Sequence, residues 1–235
     1  MFSRSAAILG EEAMARLKAA RVAVVGVGGV GGWCAEALAR TGVGRLLLID
    51  DDTVQISNLN RQCPALTSTL GLLKVEAMKA RLLAVNPALE VTALATRWTG
   101  GGPDDAKVFD ADLIVDAIDS VDCKAELILQ ATEKGVPIIS SLGAALRCDP
   151  TKVTVKRFDK VAGDGLARAL RARFKRLSRY PAVKFECVCS EELPFAGCAQ
   201  GAVKGSLMQV TAVFGMCLAS RVVKILVSHL KKHNI

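Results

Sequence analysis

Residues 22–25 read Val-Ala-Val-Val, with no polar position among them. Leu-Leu-Leu-Ile fills residues 46–49, and Leu-Ile-Val fills residues 113–115. Short, continuously apolar runs predict strands buried on both faces, as in a parallel sheet covered by helices. Between these runs the pattern becomes helical, over residues 30–40, 70–85 and 125–134. Asn86-Pro87 stops the second helix and Gly135 the third. Residues 90–96 and 136–140 complete the alternation as strands, and residues 11–20 form a short leading helix. The pattern predicts an α/β fold with a Rossmann-like, mostly parallel sheet and helices on both faces.

Past residue 147 the pattern changes. Residues 152–158 alternate like a strand with one exposed face, residues 165–177 read as a helix, 183–188 as a strand and 205–231 as a long helix. No linker separates this half from the first. The expectation is a single domain over 1–235, with a nucleotide-binding part at 1–147 and a C-terminal α+β lobe at 148–235 folded against the sheet.

With 235 residues, 51% of them hydrophobic, the chain has enough apolar side chain for one sizeable core. Its net charge of +8 fits an anionic partner. The eight cysteines are irregularly spaced and form no Cys-x-x-Cys pair. The N-terminal residues lack the apolar core of a signal peptide. Both features suit reduced thiols in a cytoplasmic protein. The apolar run 207–227 contains Arg221 and Lys224, so it reads as a buried or amphipathic helix, and no membrane partner is expected.

The first strand runs into Gly26, Gly28 and Gly31, a Gly-x-Gly-x-x-Gly turn. Such a turn bends tightly, lets the backbone approach a phosphate, and points the N–H groups of the next helix at an anion. Asp50 ends the second strand, where an acid suits a ribose hydroxyl pair. A nicotinamide or flavin would satisfy these residues as well as ATP. The next segment separates the cases. Ser57-Asn58-Leu59-Asn60-Arg61-Gln62 follows Asp50, Lys74 stands near the start of an amphipathic helix, and Asp119-Ser120 follows the third apolar run. Two cations and an acid around one crevice suit a triphosphate, whose charge must be stabilised as a bond breaks.

These positions resemble the ATP-dependent activating-enzyme superfamily, which includes the ubiquitin-activating enzymes and the bacterial adenylyltransferases of thiamine and molybdopterin synthesis. Residues 37–44, 116–120 and 210–215 are most similar to its tRNA threonylcarbamoyladenosine dehydratase group. The resemblance implies an ATP site made of Gly26, Gly28, Gly29, Gly31, Asp50, Ser57, Asn58, Leu59, Asn60, Arg61, Lys74, Asp119 and Ser120. Arg61, Lys74 and Asp119 would carry the chemistry, with Asp119 on Mg2+. It also implies a homodimer, in which Arg4 of one subunit reaches the ATP of its partner.

Related sulfur-carrier activating enzymes hold zinc through paired Cys-x-x-Cys motifs. Here Cys187-Val188-Cys189 and then Cys198 do not have that spacing, so no zinc is expected. Cys198 stands near the place where relatives can carry a catalytic cysteine. Cys187 is a second candidate that otherwise belongs to the core, and Cys34 reads as packing. In the basic run 166–184, Arg168, Arg171, Lys175 and Arg179 share one helix face by their spacing and are candidate contacts to tRNA phosphates.

The expected reaction is ATP-dependent dehydration of threonylcarbamoyladenosine in a tRNA anticodon loop, through activation of its carboxylate. The alternative is adenylation of the C-terminus of a sulfur-carrier or ubiquitin-like protein, and a sulfur-relay protein is a further candidate partner. A nucleotide-binding scaffold without turnover and a Rossmann oxidoreductase fit less of the charged set.

Overall fold

The computed structural model describes residues 1–195 and 204–228. Two helices, α1 (Ser3–Leu9) and α2 (Glu11–Ala19), lead into β1 (Arg21–Val25). Then follow α3 (Gly31–Thr41), β2 (Arg45–Ile49), α4 (Lys74–Val85), β3 (Glu90–Leu94), β4 (Leu113–Asp116), α5 (Val121–Glu133) and β5 (Ile138–Ser141). The second part supplies β6 (Val153–Arg157), α6 (Gly165–Leu177), β7 (Glu186–Ser190) and α7 (Met208–Val227). One seven-stranded sheet has the order β3-β2-β1-β4-β5-β7-β6. All pairings are parallel except β6 with β7. The α+β lobe therefore joins the sheet edge to edge.

Strand side chains alternate between two cores. Val22, Val24, Leu46 and Leu48 face a layer built by α2, α3, α4 and α7. Ala23, Val25, Leu47 and Ile49 face α5 and α6 on the other side. Both faces are covered, which is why these strands carry no polar position. Fully burying each such side chain stabilises the fold by about 1.5–3 kcal/mol.

Local chemistry sets the element ends. Gly42, at φ +107°, takes the left-handed conformation that closes α3. Asp164 caps α6 by accepting from the Ala167 N–H at 2.9 Å. Several elements start or end away from the sequence expectation. Helix α4 starts at Lys74, because residues 70–73 form a turn that bridges Leu73 to Thr53. Strand β7 lies three residues later than expected at its start, where pairing with β5 and β6 fixes its register. Arg4 lies on α1, a helix that the sequence pattern did not show.

Helix α7 is long and apolar enough to cross a membrane, with mean hydropathy 1.9. It instead buries Val210, Phe214, Leu218 and Val222 in the core shared with α3. Gly215 allows the two helices to touch: a Cβ there would lie 2.7 Å from the Val30 carbonyl oxygen and 2.8 Å from the Trp33 Cβ. Arg221 is held by Glu186 of β7, so its charge does not face apolar surface.

Candidate active site

The strand order reverses direction around β1, between β2 and β4. In such sheets the crevice outside the carboxyl ends of the strands is the binding place. A cavity of about 870 Å³ lies there. A shallower groove of about 730 Å³ runs between β6, β7 and α7 and holds none of the motif residues.

The glycine turn forms the cavity floor. Gly26, Gly28 and Gly29 line it, and Gly26 has φ +91°. Gly31 does not line it. Its part is steric, since a Cβ at Gly31 would lie 1.8 Å from the Gly26 carbonyl oxygen. Gly31→Ala is therefore expected to push the turn away from α3 and to abolish the thermal shift produced by ATP. A wild-type shift in that variant would show that the turn does not hold the phosphates.

Asp50 anchors the turn. Its Oδ2 accepts from the Val27 N–H at 2.7 Å and its Oδ1 from the Asp52 N–H at 2.9 Å. Each oxygen keeps a further lone pair for a hydroxyl donor. Burial raises its pKa above the ordinary aspartate value, opposed by the nearby Lys74 charge and by the two N–H bonds. Lys74 is buried, with its Nζ 2.5 Å from Asp52 Oδ2.

The segment that carries most of the motif divides by its geometry. A 3-10 turn over Ile56–Asn58 sends Asn58, Arg61 and Gln62 to the cavity wall. Ser57, Leu59 and Asn60 do not line the cavity. The Ser57 carbonyl and Asn60 Oδ1 instead accept from Arg61 Nη1 at 2.8 and 2.9 Å. Asn60 also donates to the Ser206 carbonyl at 3.0 Å. Ser57 and Asn60 thus hold Arg61 from outside the cavity lining. The Arg61 guanidinium is held by neutral acceptors, and no acid among the described residues neutralises it, so it presents a full charge to the cavity.

Asp119 and Ser120 line the opposite wall. Ser120 stands at the N-cap of α5 without a side-chain bond, and no described partner engages the Asp119 carboxylate. Its exposure and free lone pairs suit a hard cation better than a capping role. Beneath this loop Asp116, Lys124 and Ser140 form a closed network. Lys124 Nζ lies 2.7 Å from Asp116 Oδ2 and 3.2 Å from Ser140 Oγ. Asp116 Oδ1 accepts from the Ile118 N–H at 3.1 Å, which fixes the path of the loop to Asp119. Lys124 and Asp116 are wholly buried.

Some lining residues were not foreseen. Arg97 and Trp98 follow β3, and residues 142–147 follow Ser141 at the end of β5. Their signal is position alone: they stand just past strand ends on the side where ligands bind.

The basic helix face is not one solvated surface. Arg171 donates to the Phe158 and Val161 carbonyls at 2.9 and 2.7 Å and stacks over the Phe158 ring. Arg179 pairs with Glu126 and Glu133 of α5, each at 3.1 Å. Arg171 on α6 and Arg179, just past its end, are thus tied to neighbouring elements while staying partly open to solvent. Arg168 and Lys175 stay exposed, with no ion pair among the described residues. Cys34, Cys187 and Cys189 are buried, and burial raises their thiol pKa values, which suits packing and not attack. Cys198 lies outside the described residues.

A family model described as the ThiF family matches residues 2–235. The tRNA threonylcarbamoyladenosine dehydratase of Bacillus subtilis (strain 168) is 42% identical over 175 residues, which is 74% of this chain and 69% of that protein. Its namesake in Escherichia coli (strain K12) is 36% identical over 251 residues, covering 95% and 92%. The crystal structure of E. coli tRNA N6-threonylcarbamoyladenosine dehydratase in complex with ATP superposes with a TM-score of 0.90 at 34% identity, over 99% of this chain and 96% of that one. The AMP complex matches with the same TM-score at 35% identity.

Proposed function

The chain belongs to the ThiF family, and we propose that its cavity carries out the reaction named in these relatives: ATP-dependent dehydration of threonylcarbamoyladenosine in tRNA. The observation that carries this reading is one cavity at the strand ends that joins a phosphate turn to the unneutralised Arg61 and the unengaged Asp119. Carboxylate oxygen is a poor leaving group, so it must first be activated. The glycine turn and the N-terminus of α3 hold the phosphates, and Asp50 accepts from the ribose hydroxyls. Arg61 and Lys74 offset charge developing on the phosphates.

In the adenylating route the substrate carboxylate oxygen attacks the α-phosphorus. A new P–O bond forms, and the bond to pyrophosphate breaks. A carbamoyl nitrogen of the same side group then attacks the acyl carbon. The C–N bond closes the ring, the nitrogen releases its proton, and AMP leaves with the former carboxylate oxygen. The net change in the nucleoside is loss of one water. Attack within one molecule gains from high effective concentration and needs no cysteine.

Asp119 would hold Mg2+, since a free carboxylate beside a triphosphate is a donor set that ion takes. When bound, it neutralises phosphate charge. The homodimer belongs to this proposal too. Helix α1 buries none of its residues and leaves Ile8 85% exposed, which favours burial against a second copy that would bring Arg4 to the partner's ATP. A tRNA substrate also suits a cytoplasmic enzyme. Adenylation of a carrier protein is the weaker alternative, because these dehydratases cover more of the chain than the molybdopterin-synthase adenylyltransferases do.

The test is mass spectrometry of nucleosides after incubation with ATP, Mg2+ and tRNA carrying threonylcarbamoyladenosine. Loss of one water, dependent on ATP, is expected. An unchanged nucleoside alongside ATP–pyrophosphate exchange driven by a small carrier protein would replace this reading with the alternative.

A further inference from the structure

The reaction above uses one side of the cavity: the glycine turn, the end of β2, the Asn58–Gln62 wall and the loop after β4. The other side is built by residues 142–147 after β5 and by the first turns of α6. Its chemistry is different. Its side chains are mostly small, with Gly143, Ala144, Ala145, Gly165 and Ala169 all on the wall. The charges behind it are matched. Arg147 donates to Asp164 Oδ2 and to the Glu192 carbonyl, both at 3.1 Å, and to the Gly143 carbonyl. Arg147 and Asp164 are almost wholly buried.

The wall has a fixed shape. Leu146 is held at φ +61°, with its N–H bonded to the Gly205 carbonyl and its own carbonyl accepting from the Phe195 N–H. Among the described residues, a Cβ on Gly165 would meet only the Arg168 guanidinium, at 3.9 Å. Arg168 thus stands beside Gly165 as an exposed cation without an ion pair among the described residues, and Lys204 adds a second cation to the cavity lining.

We propose that this wall is the acceptor compartment, which takes the modified adenosine itself, turned out of the anticodon loop, while Arg168 meets a flanking phosphate. The proposal rests on the dehydratase reading. A wall of small side chains, with the Arg147 charge paired to Asp164, suits a flat uncharged base. Bases of single-stranded loops can be splayed outward at little cost and read in such pockets. A guanidinium beside the wall suits a phosphodiester. With ATP across the cavity, the side group on the base is carried toward the α-phosphate between the two walls.

The experiment fills the compartment in steps, with Gly165→Ala, Gly165→Leu and Ala169→Leu. Gly165 has an ordinary backbone conformation and open space, so its alanine variant preserves the fold even where a larger side chain does not. ATP affinity, read by calorimetry, is expected within about twofold of wild type. The kcat/KM for modified tRNA falls in order of added volume, by about tenfold or more for the leucine variants, mainly through KM. Arg168→Gln lowers tRNA affinity and reduces the slope of log affinity against log salt by about one.

Wild-type kcat/KM in every filled variant overturns the proposal. Equal loss of ATP affinity and turnover also overturns it, because the wall would then serve the nucleotide. Failure of the dehydratase reading looks different: the wild-type protein itself would leave the modified nucleoside unchanged. If the filled variants then blocked exchange driven by a carrier protein, the compartment would hold a protein tail and not a base.

Discussion

Asp119→Ala is expected to lower turnover of threonylcarbamoyladenosine tRNA by about 10²–10³-fold, with ATP binding weakened by less than tenfold. The magnitude is that of removing one electrostatic stabiliser from an enclosed site. Most contacts to ATP come from the glycine turn, Asp50, Arg61 and Lys74, which this substitution does not touch. The carboxylate of Asp119 has no structural partner among the described residues, so the fold loses little. Asp119→Asn keeps one oxygen and should fall between the two, with a higher Mg2+ requirement. Single-turnover rates and calorimetry separate chemistry from binding. Turnover within about threefold of wild type for the alanine variant would remove Asp119 from the chemistry.

Lys124→Met has its main effect on stability, with an expected loss of about 3–5 kcal/mol in denaturant unfolding. Lys124 is fully buried; among the described residues its charge is balanced by the Asp116 carboxylate, and the Ser140 hydroxyl accepts a further bond. Methionine fills the volume but leaves a buried carboxylate without its cation. The penalty therefore comes from the stranded charge more than from the lost bond. The double variant Asp116→Asn with Lys124→Met removes both charges and should recover much of the loss. A single-variant loss below about 1 kcal/mol, or no recovery in the double variant, would show that the pair is not coupled. Because Asp116 also holds the Ile118 N–H, the single variant should in addition disturb the loop that presents Asp119.

What was legible in the chain is what local geometry encodes. The glycine turn, Asp50 and Asp119 each stand at a fixed offset from a continuously apolar strand, so their arrangement follows from short-range pattern alone. Ser57 and Asn60 look identical in kind to Asn58 and Arg61 along the sequence. Only the 3-10 turn decides which of them face the cavity. The ties of Arg171 and Arg179 to other elements were hidden for a related reason. Their partners, the Phe158 and Val161 carbonyls and the acids of α5, come from other elements, and helix spacing carries no record of them. The acceptor wall was hidden because glycine and alanine announce no chemistry. Their meaning lies in the space they leave, which exists only once β5 and α6 are placed.

The close seat of α7 on α3 has a consequence for how the molecule comes into being. Thr211 lies against Gly29 of the phosphate turn, and Gly215 lies against Val30, Trp33 and Cys34. These partners lie far apart in the chain. During synthesis the turn emerges well before the helix that backs it. Contacts of such long sequence separation close slowly, after local structure has formed. Until α7 has been made, the nucleotide turn lacks this backing. A chain cut short before residue 208 would lose the face on which the turn rests.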